Sequence, residues 1–205
     1  MSVKKLILAP HADDEVLGCG GILDKDSYVY ICGVDESKMS VGETPVNTRV
    51  QALQNVANFL GFKFDYSKEM KVNFYDERYL IDTFEKLINK LRPEMVFIPC
   101  PDYNQDHKAV YKAAIIALRP HDTNFFVKKV LMYETSQNAI WNPRQMTLNY
   151  FVRIDVKRKI KAYEMYTTEV RSMRSSDMLF DIAKIRGKAS NNEFAEAFET
   201  IRWVD

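Results

Sequence analysis

The residues best suited to chemistry are one imidazole and three successive carboxylates near the start of the chain. The apolar run at 6–9 has the composition of a buried strand, and His11, Asp13, Asp14 and Glu15 follow it closely. Sites in α/β proteins are built where strands end. Because several ionisable groups are costly to remove from water together, we expect a bound divalent cation to compensate their charge.

A second polar segment, residues 102–107, follows another strand-like run at 95–99. A catalytic zinc usually takes three protein ligands from histidine and carboxylate and leaves one position open for water. His11 and Asp14 are three residues apart on a turn and can face one ion. His107, from the second segment, can supply the third ligand from across the sheet.

Asp13 then remains unligated beside the ion, where it can accept a proton from metal-bound water. Each feature alone also has a structural interpretation. Acids at a helix start favour the macrodipole, and Asp106 can cap a helix. The two motifs together favour a metal site. The glycines at 18–21 lack the full spacing of a dinucleotide loop, and the three acids before them would repel a pyrophosphate.

Length and composition indicate one α/β domain over residues 1–205. A net charge of +1 gives no electrostatic reason to expect nucleic acid or an acidic membrane as partner. No apolar run reaches the length of about 20 residues that spans a bilayer. Residues 1–9 are too short for a secretory signal, and the three cysteines are typical of reduced core thiols. We therefore expect a cytoplasmic protein; the sequence allows a homo-oligomer without indicating one.

Alternating strand and helix patterns predict a mostly parallel sheet with helices on both faces. The predicted strands are 3–9, 27–34, 62–66, 94–99, 128–134 and 149–154. The predicted helices are 16–25, 46–60, 78–91, 106–118, 156–166 and 192–202. The last helix depends on an apolar stripe at Phe194, Ala197, Phe198 and Ile201. Residues 35–45 and 167–191 lack periodicity and are predicted to be loops.

The two polar motifs also resemble a known family. The segment Pro10-His11-Ala12-Asp13-Asp14-Glu15 is similar to the His-Pro-Asp-Asp-Glu signature of the LmbE-like (PIG-L) zinc-dependent N-deacetylases, and Gly18-x-Gly20-Gly21 matches their helix start. Residues 102–107 resemble their second motif. Further matches at 48–49, 59–61 and 195–199 extend the resemblance over nearly the whole chain.

This resemblance implies a Rossmann-like fold, a Zn²⁺ cofactor and hydrolysis of an N-acetyl group on a small amino-sugar or glycoside substrate. His11, Asp14 and His107 match the zinc ligands, and Asp13 matches the general base. Arg49 matches an arginine that contacts substrate or orients the site. Glu15 supports the loop, touches a substrate hydroxyl or is a solvated helix-start acid. Asp106 can orient a metal ligand or the base Asp13 without binding the metal itself.

Two residues depart from the family pattern. Ala12 replaces a proline but keeps the ligand spacing. Asn104 stands where the family has a histidine that stabilises the oxyanion or acts as an acid. An asparagine can donate a hydrogen bond but cannot shuttle a proton, and loss of one oxyanion donor costs about 10²–10³ in rate. Either Asn104 with the zinc suffices or another group contributes; the other candidates are His121, Tyr103 and Tyr133.

Two functions of different classes follow. The first is a zinc-dependent deacetylase, favoured by the intact Asp13. The second is a metal-retaining, sugar-binding relative whose catalysis was lost with the change to Asn104. For substrate recognition, the arginines could contact a phosphate or lie in solvent, and several aromatic rings could stack on a sugar. These residues are Arg49, Arg171, Arg174, Arg186, Tyr75, Tyr79, Trp141 and Tyr150.

Overall fold

Seven strands form one sheet in the computed structural model, which describes residues 3–37, 44–142 and 144–205. The strands are β1 (Lys5–His11), β2 (Ser27–Gly33), β3 (Lys63–Tyr66), β4 (Met95–Pro99), β5 (Lys129–Tyr133), β6 (Tyr150–Arg153) and β7 (Ala195–Trp203). The helices are α1 (Asp14–Cys19), α2 (Val46–Leu60), α3 (Glu77–Leu91), α4 (Gln105–Ala117), α5 (Ser136–Ile140), α6 (Val156–Tyr163) and α7 (Ser176–Ala189).

The strand order is β3-β2-β1-β4-β5-β7-β6. The first five strands in this order are parallel, and β7 runs antiparallel to both β5 and β6. The prediction of a mostly parallel α/β sheet is therefore confirmed. Alternate residues of β1 serve two cores, since Leu6 and Leu8 pack with α3 and α4, whereas Ile7 and Ala9 pack with α2, α6 and α7. Helices thus cover both faces.

The predicted helix at 192–202 is wrong, because residues 195–203 form β7. The apolar stripe has helical spacing, but the first four residues of β7 are all buried. β7 lies between β5 and β6 and is covered on both faces at its start. A strand buried in this way lacks the polar alternation that distinguishes a strand from a helix.

The predicted loop at 167–191 is also wrong in its second half, which forms α7. Ser175 caps this helix by accepting a hydrogen bond from the Met178 amide. Its buried residues are Leu179, Ala183 and Gly187. Because two of these three side chains are small, the helical apolar pattern in the sequence is weak. Helix α5 was not predicted, and α1 is shorter than the predicted 16–25. Most of the predicted loop at 35–45 lies outside the described residues.

The turn from β1 into α1 holds the first motif close to the sheet. Asp13 is the N-cap of α1 and has φ 140° and ψ −30°, a conformation that costs free energy for any residue but glycine. Gly18 faces the ring of Tyr133, and a Cβ at Gly18 would lie 2.2 Å from that ring. The Tyr133 hydroxyl donates to the Leu8 carbonyl at 3.0 Å. Glycine at position 18 therefore lets α1 approach β5.

A buried ion pair between α6 and β7 also contacts α1. Lys159 Nζ on α6 donates to Glu196 Oε1 on β7 at 2.7 Å and to the Leu17 carbonyl of α1 at 2.8 Å. Glu196 Oε1 also accepts from the Gly21 amide at 2.8 Å. Both charged side chains are nearly inaccessible, with exposures of 7% and 4%. Removal of one partner would leave the other charge buried and unpaired.

We predict that Lys159→Met lowers the free energy of unfolding by about 3–5 kcal/mol, the usual cost of breaking a buried pair. Chemical denaturation measures it. Lys157→Met, an exposed lysine on the same helix, is the control and should change stability little. A Lys159→Met protein as stable as the control would show that the pair does not anchor α1.

Candidate metal centre

The two polar motifs meet because β1 and β4 are neighbouring parallel strands that end at the same edge of the sheet. His11 ends β1, Asp14 begins α1 and His107 lies in the first turn of α4. Each offers one ligand atom, and these three atoms lie within 4.8 Å of one another. The predicted ligand set is therefore together in the structure.

Asp14 Oδ2 lies 3.2 Å from His11 Nδ1 and 3.3 Å from His107 Nε2. Ligands about 2.0–2.1 Å from a tetrahedral zinc are separated by about 3.3 Å, the edge of the tetrahedron. The two distances are compatible with an ion of this size held among the three atoms, and also with direct ion pairs between Asp14 and the two imidazoles. Asp14 and His107 are buried and His11 is only 14% exposed, so the donor set is already held in place.

The opposite nitrogen of each imidazole faces a carboxylate. His11 Nε2 lies 2.8 Å from Asp106 Oδ2, which also accepts from the Asn73 amide at 2.8 Å. His107 Nδ1 lies 2.9 Å from Asp102 Oδ2, at ion-pair distance but outside hydrogen-bond alignment. Carboxylates placed behind ligand histidines fix the ring orientation and raise the basicity of the nitrogen that faces the ion.

The metal-free centre holds strongly perturbed pKa values. Burial would raise the pKa of Asp14, but His107 and His11 outweigh it and hold that pKa well below its usual range. Burial would lower the pKa of His11, but Asp106 and Asp14 raise it to about 9. Burial would likewise lower the pKa of His107, but Asp14 and Asp102 raise it to about 10. Protons therefore supply the positive charge when no cation is bound.

Asp13 lies beside this group but outside it. Its side chain is buried, and Oδ2 accepts a hydrogen bond from Arg174 Nη1 at 2.8 Å. Burial, followed by the charge of Asp14, raises the pKa of Asp13 to about 7, while Arg174 opposes the rise. A carboxylate with such a pKa can both accept and return a proton near neutral pH.

Glu15 is fully buried and fixes the turn from within. Its Oε2 accepts from the Asp13 amide at 3.0 Å and its Oε1 accepts from the Tyr166 hydroxyl at 2.5 Å. Burial raises the pKa of Glu15 to about 8. Of the three roles considered for this residue, these contacts match support of the loop.

Arg49 is buried between two carboxylates. Its Nη2 donates to Glu36 Oε1 at 2.5 Å and to Glu169 Oε1 at 2.9 Å. Because Glu169 also accepts from Arg174 Nη2 at 3.0 Å, Arg49 is connected to Asp13 through two further side chains. This placement matches an orienting role more directly than contact with substrate.

Asn104 caps α4, because its side-chain oxygen accepts from the Asp106 amide at 2.8 Å. The amide nitrogen of its side chain is then the group left to donate. Among the other candidates for the missing histidine, His121 is exposed and contacts Thr123. Tyr133 is committed to the Leu8 carbonyl, whereas Tyr103 is 42% exposed beside Asn104.

Sequence reasoning did not assign to four residues the contacts that they make in the site. Asp102 was visible in the second motif but was given no role. Glu169, Tyr166 and Arg174 come from the segment between α6 and α7, where no motif marked them. Arg174 was considered as a phosphate ligand together with Arg186, but both are paired with carboxylates, since Arg186 forms two hydrogen bonds to Glu134. The remaining arginine of that group, Arg171, is 68% exposed.

Of the candidate stacking aromatics, Trp141 contacts Tyr103, the residue before Asn104. It is 62% exposed, and its ring centroid is 5.2 Å from that of Tyr103. Tyr75 donates to the Pro10 carbonyl at 2.6 Å, and Tyr79 lies near Ser67. The ring of Tyr150 packs at a tilt against those of Phe198 and Trp203.

Comparison with known proteins gives matches to deacetylases. Residues 6–118 match the family model described as PIG-L: GlcNAc-PI de-N-acetylase. The probable N-acetyl-alpha-D-glucosaminyl L-malate deacetylase 2 of Bacillus subtilis (strain 168) is 27% identical in an alignment that covers 98% of this chain and 98% of that protein. No helix within the described parts of this chain is long and apolar enough to cross a membrane.

Two solved structures illustrate what the fold alone shows. The N,N'-diacetylchitobiose deacetylase from Pyrococcus horikoshii has a TM-score of 0.78 at 19% identity, covering 98% of this chain and 84% of that one. GalB, the 4-carboxy-2-hydroxymuconate hydratase from Pseudomonas putida KT2440, has a TM-score of 0.76 at 16% identity, covering 98% of both chains. One fold thus carries more than one reaction. The family match, by contrast, covers more than half of the chain and includes both polar motifs, and the chain belongs to the PIG-L (LmbE-like) family of de-N-acetylases.

Proposed function

We propose that the protein is a zinc-dependent hydrolase that removes the N-acetyl group from a small amino-sugar or glycoside substrate. The observation that carries the proposal is the arrangement of Asp14 between two imidazole nitrogens at 3.2 and 3.3 Å, with the Asp13 carboxylate outside that group. In this arrangement Asp14 can bind an ion, while the neighbouring Asp13 stays available for proton transfer.

His11, Asp14 and His107 would hold the zinc, which supplies a Lewis acid and lowers the pKa of water when bound. Ionised Asp13 accepts one proton from the attacking water, whose oxygen adds to the acetyl carbonyl carbon. Asp13 then returns that proton to the amide nitrogen as the carbon–nitrogen bond breaks. The second proton of the water stays on the acetyl group, so the products are acetic acid, which then ionises to acetate, and a free amine. One carboxylate thus serves first as base and then as acid.

Asn104 can contribute a hydrogen bond from its side-chain nitrogen, because its oxygen is used to cap α4. That donor can stabilise a developing oxyanion but cannot supply the leaving-group proton. We therefore assign this proton transfer to Asp13. This division of roles explains how a chain with asparagine at position 104 can remain an enzyme.

The substrate class rests on the relatives, whose names specify N-acetylglucosaminyl malate and diacetylchitobiose. Tyr103 and Trp141 form an exposed aromatic pair next to Asn104, with ring centroids 5.2 Å apart. Aromatic faces of this kind can pack against the apolar face of a sugar ring. We place the glycosyl part of the substrate against this pair and the acetamide at the metal centre.

The test of this function is acetate release by the zinc-loaded protein from a panel of N-acetylated sugars, nucleotide-sugars and amino-sugar glycosides. We expect release from one class. Binding of such a sugar without acetate release from any of them, with zinc verified as bound, would favour the non-catalytic sugar-binding relative. Asn104 is the residue that makes this second function a serious alternative.

We predict that Asp13→Asn lowers turnover by about 10²–10⁴-fold, the usual contribution of a general acid–base group. Zinc content should be unchanged, because Asp13 is not among the three candidate ligands. Steady-state kinetics and metal analysis measure both quantities. Asp181→Asn, on the exposed side of α7, is the control. Full activity in Asp13→Asn would remove Asp13 from the mechanism.

Zinc affinity should rise with pH. Metal-free His11 and His107 have pKa values of about 9 and 10, so both are protonated at neutral pH. Zinc requires neutral imidazole, and binding therefore releases up to two protons. Affinity should increase by about one to two decades per pH unit near neutrality. Calorimetric titration in buffers of different ionisation enthalpy measures the protons released.

His107→Ala should abolish this binding, whereas His121→Ala, an exposed histidine, should not affect it. A zinc affinity that does not depend on pH, or that survives His107→Ala, would place the metal elsewhere.

A further inference from the structure

We propose that Arg174 is a positioning residue that holds the Asp13 carboxylate for proton transfer. The inference rests on the proposed function, since it concerns the base of that reaction. Arg174 lies in the segment between α6 and α7, which contains none of the family motifs found in the sequence. Its side chain nevertheless contacts Asp13, which lies beside the metal centre.

The guanidinium of Arg174 bridges two carboxylates. Nη1 donates to Asp13 Oδ2 at 2.8 Å, and Nη2 donates to Glu169 Oε2 at 3.0 Å. The side chain is 16% exposed, whereas the side chains of Asp13 and Glu169 are 2% and 6% exposed. A planar fork that reaches two carboxylates at once is a geometry that arginine provides and lysine does not.

Glu169 is itself fixed, so the bridge has a firm anchor. Its Oε1 accepts from buried Arg49 at 2.9 Å, and its main-chain carbonyl accepts from the Tyr163 hydroxyl at 2.9 Å. A chain of alternating charges therefore runs from Arg49 through Glu169 and Arg174 to Asp13. Each member limits the movement of the next.

Asp13 needs such support for two reasons. Its backbone has φ 140°, and its side chain makes no capping hydrogen bond to α1. Its carboxylate also lies buried beside Asp14, which repels it. Within the described residues, the hydrogen bond to this carboxylate comes from Arg174 and reaches Oδ2. We assign the other oxygen, Oδ1, to the proton of the attacking water.

Arg171 provides a matched comparison three residues earlier. It also approaches Glu169 Oε2, but at 3.6 Å and with a side chain that is 68% exposed. An exposed ion pair at that distance contributes little. Of the two arginines, Arg174 is the one that contacts Asp13. Arg171→Met therefore removes a nearby positive charge without removing a contact to Asp13.

The test compares Arg174→Met, Arg174→Lys and Arg171→Met in the zinc-loaded full chain. We expect Arg174→Met to lower kcat by about 10²-fold with little change in KM, as for a misplaced catalytic group. Arg174→Lys should retain part of the rate, and Arg171→Met should resemble the wild type. Equal zinc content and unchanged circular dichroism spectra at the assay temperature would exclude a general loss of structure.

A double-mutant cycle with Asp13→Asn separates positioning from other roles. If Arg174 acts through Asp13, Arg174→Met should cause no further loss of kcat in the Asp13→Asn background. The same cycle in melting temperature should be non-additive, because the two side chains form one buried pair.

Three outcomes overturn the inference: kcat of Arg174→Met equal to that of Arg171→Met, an equal loss in both backgrounds, or additive melting temperatures. Absence of deacetylation by the wild type would instead overturn the proposed function, while the melting-temperature cycle would still report on the pair.

Discussion

Three successive carboxylates, Asp13, Asp14 and Glu15, lie buried where β1 passes into α1, and the surrounding structure depends on how their charge is compensated. Asp14 faces two imidazoles, Asp13 faces a guanidinium, and Glu15 accepts from a tyrosine hydroxyl and a main-chain amide. Three chemically different partners give neighbouring acids different properties. We infer that Asp14 binds the ion and Asp13 moves protons for this reason.

The fold could be predicted where local pattern and tertiary role agree. The strands β1 and β4 and the helices α2 and α4 follow clear runs, and they bring both motifs to one edge of the sheet. Prediction failed at β7, because a strand covered on both faces and both edges loses its alternation. It also failed at α7, since a helix that packs through alanine and glycine leaves a weak apolar stripe. In both places tertiary packing, which the local sequence does not encode, decided the outcome.

In the candidate site, too, some residues could be predicted from local sequence and others could not. His11, Asp14 and His107 could be predicted because each lies beside a strand end and carries ligand chemistry. Arg174 and Tyr166 could not, since they reach Asp13 and Glu15 across more than 150 residues of chain. From the sequence, Arg174 could equally be free to bind an anionic substrate or be paired with a buried acid of the protein. That distinction required the fold.

The division of labour between adjacent aspartates is tested most directly by anomalous diffraction at the zinc edge from crystals of the zinc-loaded protein. We predict one strong peak bonded to His11 Nδ1, His107 Nε2 and Asp14 Oδ2, with the Asp13 carboxylate still paired to Arg174. No peak at this position would contradict the assignment of the metal centre. A peak bonded to Asp13 would contradict the account as well, because the proposed base would then be a ligand.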